Sequence, residues 1–321
     1  MKYIYVTGCA GFIGSYVTEY FLKLGWIVRG IDKMTYASDK GVIDMFKEEY
    51  EGQFTFEEKD INDLDHLYDC DYIINCAAES HVDNSIVSSE TFMKSNINGV
   101  HRLLELIKSK RNYDMPTLIH FSTDEVYGDI KKGKATEDTI LNPSNPYSAT
   151  KAAADQLILA WHRTYGIPYI ILRPTNNYGI GQHIEKLIPK TIKSLSFGKK
   201  VPLHEKGKPK RNWLHAYDTA RAIEWIIGSN QPYNQIYNIN GGFEQSNIDT
   251  VKKIAKLVYP DMKDVNKEIN TICDFSYKRD GVDFRYSLDD SKLRKLGWKP
   301  EVDFDKELPT IVEHYSKYFI W

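Results

Sequence analysis

The sequence predicts an α/β fold, a doubly wound parallel sheet followed by a smaller C-terminal lobe, and three observations carry that expectation. The chain opens on a short β-rich run, Tyr3-Ile4-Tyr5-Val6-Thr7, closed by glycine. Phe12, Ile13, Tyr16, Val17, Tyr20, Phe21 and Leu24 then recur at helical spacing, and Trp26 to Asp32 reads as a second strand, completing one βαβ unit. Strand-like and helix-like segments continue to alternate as far as Leu172, which implies a parallel sheet covered on both faces.

The elements follow in order. Gly25 stops the first helix. Tyr72 to Asn75 is a strand, and Thr91 to Lys108 an amphipathic helix with Ile97, Val100, Leu103, Leu104 and Ile107 on one face. Leu118 to Phe121 is a strand, Ser148 to Tyr165 a helix and Tyr169 to Leu172 a strand. Beyond Arg173, Gly, Pro, Asn and Lys become more frequent, and Thr219 to Ile227 and Asn247 to Val258 are the expected helices. The expected division is therefore residues 1–173 for the main domain and 174–321 for a mainly substrate-binding lobe, some segments of which return to the main sheet.

With Lys+Arg at 42 and Asp+Glu at 44, the formal charge of −2 supplies no field for a polyanion, so nucleic acid is not an expected partner. Cys9, Cys70, Cys76 and Cys273 form no C-x-x-C pair and no zinc spacing with the nine histidines, so four free thiols in a reducing compartment are expected, with no metal. No signal peptide precedes the first strand and no stretch has the length of a membrane span; a cytoplasmic protein without a membrane partner is expected.

The turn after the first strand reads Gly8-Cys9-Ala10-Gly11-Phe12-Ile13-Gly14, a G-x-x-G-x-x-G pattern. Glycines there let the backbone turn tightly and let a pyrophosphate reach the helix N-terminus, where free N–H groups favour negative charge. Alone the pattern is a plain structural turn as readily as a cofactor loop. Between a strand and a helix, with Asp32 closing the next strand, it predicts a Rossmann-type dinucleotide site. A carboxylate at Asp32 accepts from ribose hydroxyls and repels a 2′-phosphate, which favours NAD⁺ over NADP⁺, although Lys33 beside it works the other way.

Tyr147 and Lys151 stand four apart at a helix start, after Pro146, and so share a face. An ammonium beside a phenol stabilises phenolate, which makes a base for a hydroxyl proton. Among 22 tyrosines such a pair arises by chance, and its place downstream of the dinucleotide fold gives it weight. Ser122-Thr123-Asp124-Glu125 follows the strand ending at Phe121, where parallel sheets place ligands. Adjacent carboxylates there are an exposed acidic turn or a working acid and base.

These runs, with Ala77-Ala78-Glu79-Ser80-His81-Val82-Asp83, Asn176-Asn177-Tyr178-Gly179 and Glu185-Lys186-Leu187-Ile188-Pro189, resemble the nucleotide-sugar 4,6-dehydratases of the extended short-chain dehydrogenase/reductase family, from Lys2 to about Trp298. The resemblance implies oxidation of the sugar C4 hydroxyl with NAD⁺ and Tyr147 as base, removal of the C5 proton by Glu125, and donation by protonated Asp124 to the departing C6 hydroxyl, with Thr123 beside them. NADH then returns its hydride to C6. It implies an NAD⁺ site lined by Phe12, Ile13, Asp32, Lys33, Met34, Thr35, Asp60, Ile61, Ala77, Ala78, Ser95 and Asn177, with Tyr147 and Lys151. Ser80, Thr123, Asn176, Lys186, Leu187, Arg211, Asn238 and Arg279 would contact the nucleotide sugar. Arg211 suits diphosphate oxygens, whereas the lysines of Lys206-Gly207-Lys208-Pro209-Lys210 read as solvated.

Some runs depart from the bacterial dTDP-glucose pattern: Glu205-Lys206-Gly207, Arg211-Asn212-Trp213 and Lys278-Arg279-Asp280-Gly281-Val282-Asp283. Arg285 to Leu293 looks more like the dehydratase domain of eukaryotic UDP-rhamnose synthases, which tilts the expected substrate from dTDP-glucose towards UDP-glucose. The rivals are a UDP-sugar 4-epimerase or decarboxylase of the same family, against which Asp124 argues, and a catalytically silent NAD-binding protein, against which Tyr147, Lys151 and Glu125 argue. The family commonly dimerises through helices, and the apolar stripes of Thr91–Lys108 and Ser148–Tyr165 are either that interface or core; a homodimer is expected.

Overall fold

The computed structural model describes residues 2–111, 114–229 and 233–318. Six strands build most of the main sheet: β1 (Tyr3–Thr7), β2 (Ile27–Asp32), β3 (Phe54–Glu58), β4 (Tyr72–Asn75), β5 (Thr117–Phe121) and β6 (Tyr169–Pro174). The chain then leaves through β7 (Asn176–Tyr178), β8 (Val201–Pro202) and β9 (Lys210–His215), and β10 (Gln235–Ile239) comes back to pair with β6. The result is a parallel sheet in the order β10-β6-β5-β4-β1-β2-β3.

The apolar runs of the central strands are continuous because both faces of the sheet are covered. Val6, Ile74, Ile119 and Ile170 point to one face and pack with Val17 and Phe21 of helix Phe12–Lys23 and Ile223 of helix Ala216–Gly228. Their neighbours Tyr5, Ile73, Leu118 and Ile171 point to the other, against Leu103, Leu104, Ile107 and Ile158. The apolar stripes considered for dimerisation are thus largely core of the chain itself.

The smaller lobe has its own core. Helices Leu187–Ser196, Asn247–Val258 and Phe304–Lys317 pack Ile192, Ile254 and Ile311 together with Trp213 of β9. β9 lies between β7 and β11 (Phe243–Ser246), and β8 pairs with β12 (Cys273–Asp274). Residues beyond 173 therefore divide between this lobe and the main sheet, as β10 and helix Ala216–Gly228 illustrate.

Helix Asn247–Val258 has the bounds the periodicity predicts. Helix Pro146–Tyr165 begins two residues before the expected Ser148, because Asn145 and Ser148 cap each other reciprocally and Pro146 occupies the first turn. The single helix expected over Thr91–Lys108 is a short turn Glu90–Phe92, a π-helical stretch Met93–Asn98 and helix Gly99–Ser109. Asn96 explains the wider turn: it is fully buried, and its amide bonds both backbone groups of Glu79 and the hydroxyl of Thr150.

Candidate active site

Strand order reverses between β1 and β4, and a crevice opens at their carboxyl ends. The glycine turn fills its floor. Gly8 sits at φ +71°, and a Cβ there would lie 2.7 Å from the backbone nitrogen of Ala77, at the end of β4. A Cβ on Gly14 would fall within the van der Waals envelope of the Gly8 carbonyl. Gly11 caps helix Phe12–Lys23 with no side-chain acceptor, which leaves the first-turn N–H groups to an anion. Asp32 braces the turn: Oδ2 accepts from Ala10 N–H at 3.0 Å, and Oδ1 accepts from Met34 N–H and Ser38 Oγ at 2.9 Å.

The recess beyond the turn is lined by Asp32, Lys33, Thr35, Asp60, Ile61, Ala77, Ala78 and Ser95. Lys33 Nζ donates to Ser95 Oγ at 2.9 Å and to Glu79 at 3.3 Å. Met34, at φ +53°, gives its N–H to Asp32 Oδ1 and does not line the recess. Phe12, Ile13 and Asn177 line the adjoining part of the cleft, together with Thr123, Asp124, Glu125, Tyr147 and Lys151. The donors and glycine contours of this crevice fit a dinucleotide.

The acid pair lies on the turn Asp124–Tyr127 directly after β5, whose cap is Thr123. Asp124 is 3% exposed. Its Oδ1 accepts from Thr123 Oγ1 at 3.2 Å, and its Oδ2 has no partner. Burial first, and the charge of Glu125 second, push the Asp124 carboxyl up to about 8, with Arg211 opposing. Glu125 is more open, and its Oε2 accepts from Tyr286 Oη at 3.3 Å and from Asn145 Nδ2 at 3.4 Å. Neighbouring carboxyls in unlike surroundings are the arrangement that holds one protonated and the other ionised.

Tyr147 is buried, and burial drives its phenol far up; Glu125 and Asp124 add to this, while the Thr123 hydroxyl opposes it. The lowering by Lys151 that the spacing predicts is not found: burial dominates, and Lys151 is not among the groups that act on the phenol. Burial also brings Lys151 down to about 8, against the pull of Asp155. Asp155 itself is fixed by Arg173, 3.0 Å away and buried, and by Ser122 at 3.1 Å.

Away from the glycines the cleft continues into a second recess, lined by Ser80, Asn176, Lys186, Leu187, Arg211 and Arg279 among others. Several of its buried polar atoms have no protein partner: Asn176 Oδ1, His204 Nε2, Trp213 Nε1, Asn247 Oδ1 and Arg279 Nε. Such atoms are costly unless a ligand meets them. Arg211 is buried over the Tyr286 ring, whereas Lys206, Lys208 and Lys210 are exposed, as predicted. Two contacts bridge the cleft: Tyr36 Oη donates to Glu185 at 3.2 Å, and Lys186 Nζ to the Ser80 carbonyl at 3.0 Å.

Met34 is one exception among the predicted residues, and Asn238 is the other. It lies on β10, fully buried, and its amide is consumed by Tyr127 Oη at 2.8 Å and the carbonyls of Ala135 and Asp289. It joins the sheet to the segments around it and lines neither recess. His204, Trp213, Asn247 and Tyr277 line the second recess and were missed, since single polar residues in an irregular lobe carry no periodic signal.

A family model described as GDP-mannose 4,6 dehydratase matches residues 5–310. The dTDP-glucose 4,6-dehydratase of Haemophilus influenzae is 38% identical over 334 residues, 98% of each chain. DesIV, a dTDP-glucose 4,6-dehydratase from Streptomyces venezuelae solved with NAD and TYD bound, is similar at a TM-score of 0.88 and 34% identity, over 98% of this chain and 97% of that one. A UDP-glucuronic acid 4-epimerase from Bacillus cereus, in complex with UDP-glucuronic acid and NAD, reaches 0.87 at 26% identity, over 98% and 99%. The scaffold is thus shared by dehydratases and epimerases, while the higher identity lies with the dehydratases. With its glycine crevice, its acid pair and a match over nearly its whole length, the chain belongs to the GDP-mannose 4,6 dehydratase family.

Proposed function

We propose that the protein is an NAD-dependent nucleotide-sugar 4,6-dehydratase, a hydro-lyase that converts dTDP-glucose or UDP-glucose to the 4-keto-6-deoxy sugar. The observation that carries this reading is Asp124: a buried carboxyl, raised to about 8, beside the more open Glu125 in the cleft that also holds Tyr147 and Lys151. A 4-epimerase needs no such acid.

Gly8, Gly11, Gly14 and Asp32 would hold NAD, which would supply the acceptor for the C4 hydride and its return to C6. Tyr147 takes the proton of the C4 hydroxyl. The resulting C4 ketone acidifies the C5 proton, which Glu125 removes. Asp124 gives its proton to the C6 hydroxyl, which departs as water. Glu125 then returns a proton to C5. Arg211, Arg279 and Lys186 meet the diphosphate, and the unpartnered atoms of the second recess on His204, Trp213 and Asn247 meet the nucleoside.

The dTDP-glucose relatives favour thymine. The likeness of Arg285 to Leu293 to the UDP-rhamnose synthases favours uracil. Incubation with each sugar nucleotide and NAD⁺, read by mass and NMR, tests the reading. Loss of one water, slowed at least about 100-fold in Asp124→Asn and Glu125→Gln, is expected. Galactose-configured product would give the site to an epimerase, and no product from either to a silent NAD-binding protein. Homodimerisation and a cytoplasmic location belong to the same proposal; sedimentation at the mass of a single 37.2 kDa chain would remove the first.

A further inference from the structure

Residues 275–282 form a strap along the second recess, which Tyr277 and Arg279 help to line. Both ends of the strap are fastened. β12 pairs with β8, and Leu203 N–H donates to the Asp274 carbonyl at 2.9 Å. At the far end Asp283 accepts from Ser144 Oγ at 2.6 Å and from Tyr286 Oη at 2.8 Å. Between these ends, among the described residues, no backbone–backbone hydrogen bond holds the strap. Phe275, Tyr277 and Arg279 are half-buried while Ser276, Lys278 and Asp280 are exposed, the alternation of an extended chain laid on a surface. Its middle is held at Asp83, on the first turn of helix Val82–Val87. Tyr277 Oη donates to Asp83 Oδ2 at 2.9 Å, and Arg279 Nη1 to Asp83 Oδ1 at 3.4 Å. His81 Nε2 lies 3.6 Å from Oδ2. Burial opposes the charge of Asp83, but Tyr277, Arg279, His81 and Lys190 together hold its carboxyl below the usual carboxylate range.

We propose that Asp83 is a positioning residue for the sugar nucleotide: it ties the strap to helix Val82–Val87 and so holds Arg279 with its remaining donors towards the diphosphate. That Arg279 meets the diphosphate rests on the function proposed above; the tie itself does not. A guanidinium has five N–H donors, and Asp83 engages it through Nη1. Nε is buried and has no partner. The carboxylate therefore aims the cation without consuming it. A strap with no backbone bonds of its own would otherwise have to be ordered as the ligand arrives, and that ordering would weaken binding. The same short helix also meets the start of helix Pro146–Tyr165, where Tyr147 N–H donates to Ser85 Oγ at 3.2 Å. One frame thus joins the strap that bears Arg279 to the helix that bears Tyr147.

The tie is tested on the free protein. Trypsin cuts after Lys278 and Arg279, and mass spectrometry reads the rate at each site. Asp83→Ala should be cut there at least about fivefold faster, with cleavage elsewhere unchanged, because such cleavage follows the population of the open strap. Asp83→Asn keeps the shape and loses the charge, so it should show a smaller rise; it serves if Asp83→Ala does not fold. An unchanged rate in the folded variant would overturn the tie. The aiming of Arg279 is tested by calorimetry with UDP and with dTDP. Binding should weaken roughly tenfold in Asp83→Ala and at least as much in Arg279→Gln. The double variant should bind within about twofold of Arg279→Gln alone, because Asp83 acts through that side chain. In turnover KM should rise about tenfold with kcat within about twofold, a split that general loosening would not give. Additive losses, or a fall confined to kcat, would overturn the positioning role. Wild-type protein that binds neither diphosphate would overturn the proposed substrate and the aiming of Arg279 with it, while the cleavage rates would still decide the tie.

Discussion

At the scale of single residues, the raised carboxyl of Asp124 has a thermodynamic sign. Its folded-state value of about 8 lies above the 3.8 of an exposed aspartate. Between those values the folded chain holds a proton that the unfolded chain has released, so this site's contribution to stability falls as pH rises through that window. Asp124→Asn removes the ionisation while keeping the shape. It should raise Tm by roughly a few degrees near pH 8 and change it little near pH 4. Calorimetry across that range checks this, and a pH-independent difference would mean that Asp124 is ionised in the fold. The same substitution should suppress dehydration, so stability and activity move in opposite directions at one residue. Asp124, Glu125, Tyr147 and Lys151 were legible because each follows a strand end or a helix start that the sequence marks. The tie between Asp83 and Tyr277 was not: 194 positions separate them, and only the path of the strap brings them together.

Secondary-structure elements carry the cofactor crevice. The approach of Gly14 to the Gly8 carbonyl is what closes the turn and starts the helix. Gly14→Ala must open this contact, at a cost on the order of 1–3 kcal/mol, and so should displace the N–H groups that face the pyrophosphate. NAD⁺ affinity, followed by tryptophan fluorescence, is expected to fall at least about tenfold; unchanged affinity would separate the turn from the cofactor. Elements with a clean period were read correctly, as helix Asn247–Val258 demonstrates. The error over Thr91–Lys108 has a local cause: the apolar stripe is regular, but Asn96 must reach Glu79 and Thr150, and the helix widens to let it. Asn238 was expected at the sugar nucleotide from the resemblance alone, and its amide instead bonds the Ala135 and Asp289 carbonyls.

Across the whole molecule, the C-terminal segment is fastened to the main domain at one carboxylate. Asp218, fully buried on helix Ala216–Gly228, accepts from the N–H groups of Glu301 and Val302 at 3.0 Å and from Arg221 at 2.9 Å, and its carbonyl accepts from Trp298 Nε1. Helix Phe304–Lys317 follows directly and completes the core of the smaller lobe. Asp218→Ala should therefore loosen both lobes together, with a loss of about 3–5 kcal/mol in denaturant unfolding, because two backbone N–H groups lose their acceptor and Arg221 keeps only the Lys299 carbonyl and Glu301. A loss below about 1 kcal/mol would mean that the apolar contacts alone hold the segment. The division expected at 173 rested on composition alone; the return of β10 to the sheet was expected only in general terms, because strand order is a property of space and not of sequence.

The two bridges over the cleft, Tyr36 to Glu185 and Lys186 to Ser80, also bear on traffic. They tie Tyr36 and Ser80 to Glu185 and Lys186 where the cleft runs from the glycine turn into the second recess. In the proposed reaction the dinucleotide leaves each cycle in the oxidation state in which it entered, so nothing requires it to exchange. Such a molecule is a resident and not a visitor: the purified protein should carry NAD through dialysis, visible as excess absorbance at 260 nm, and should turn over without added cofactor.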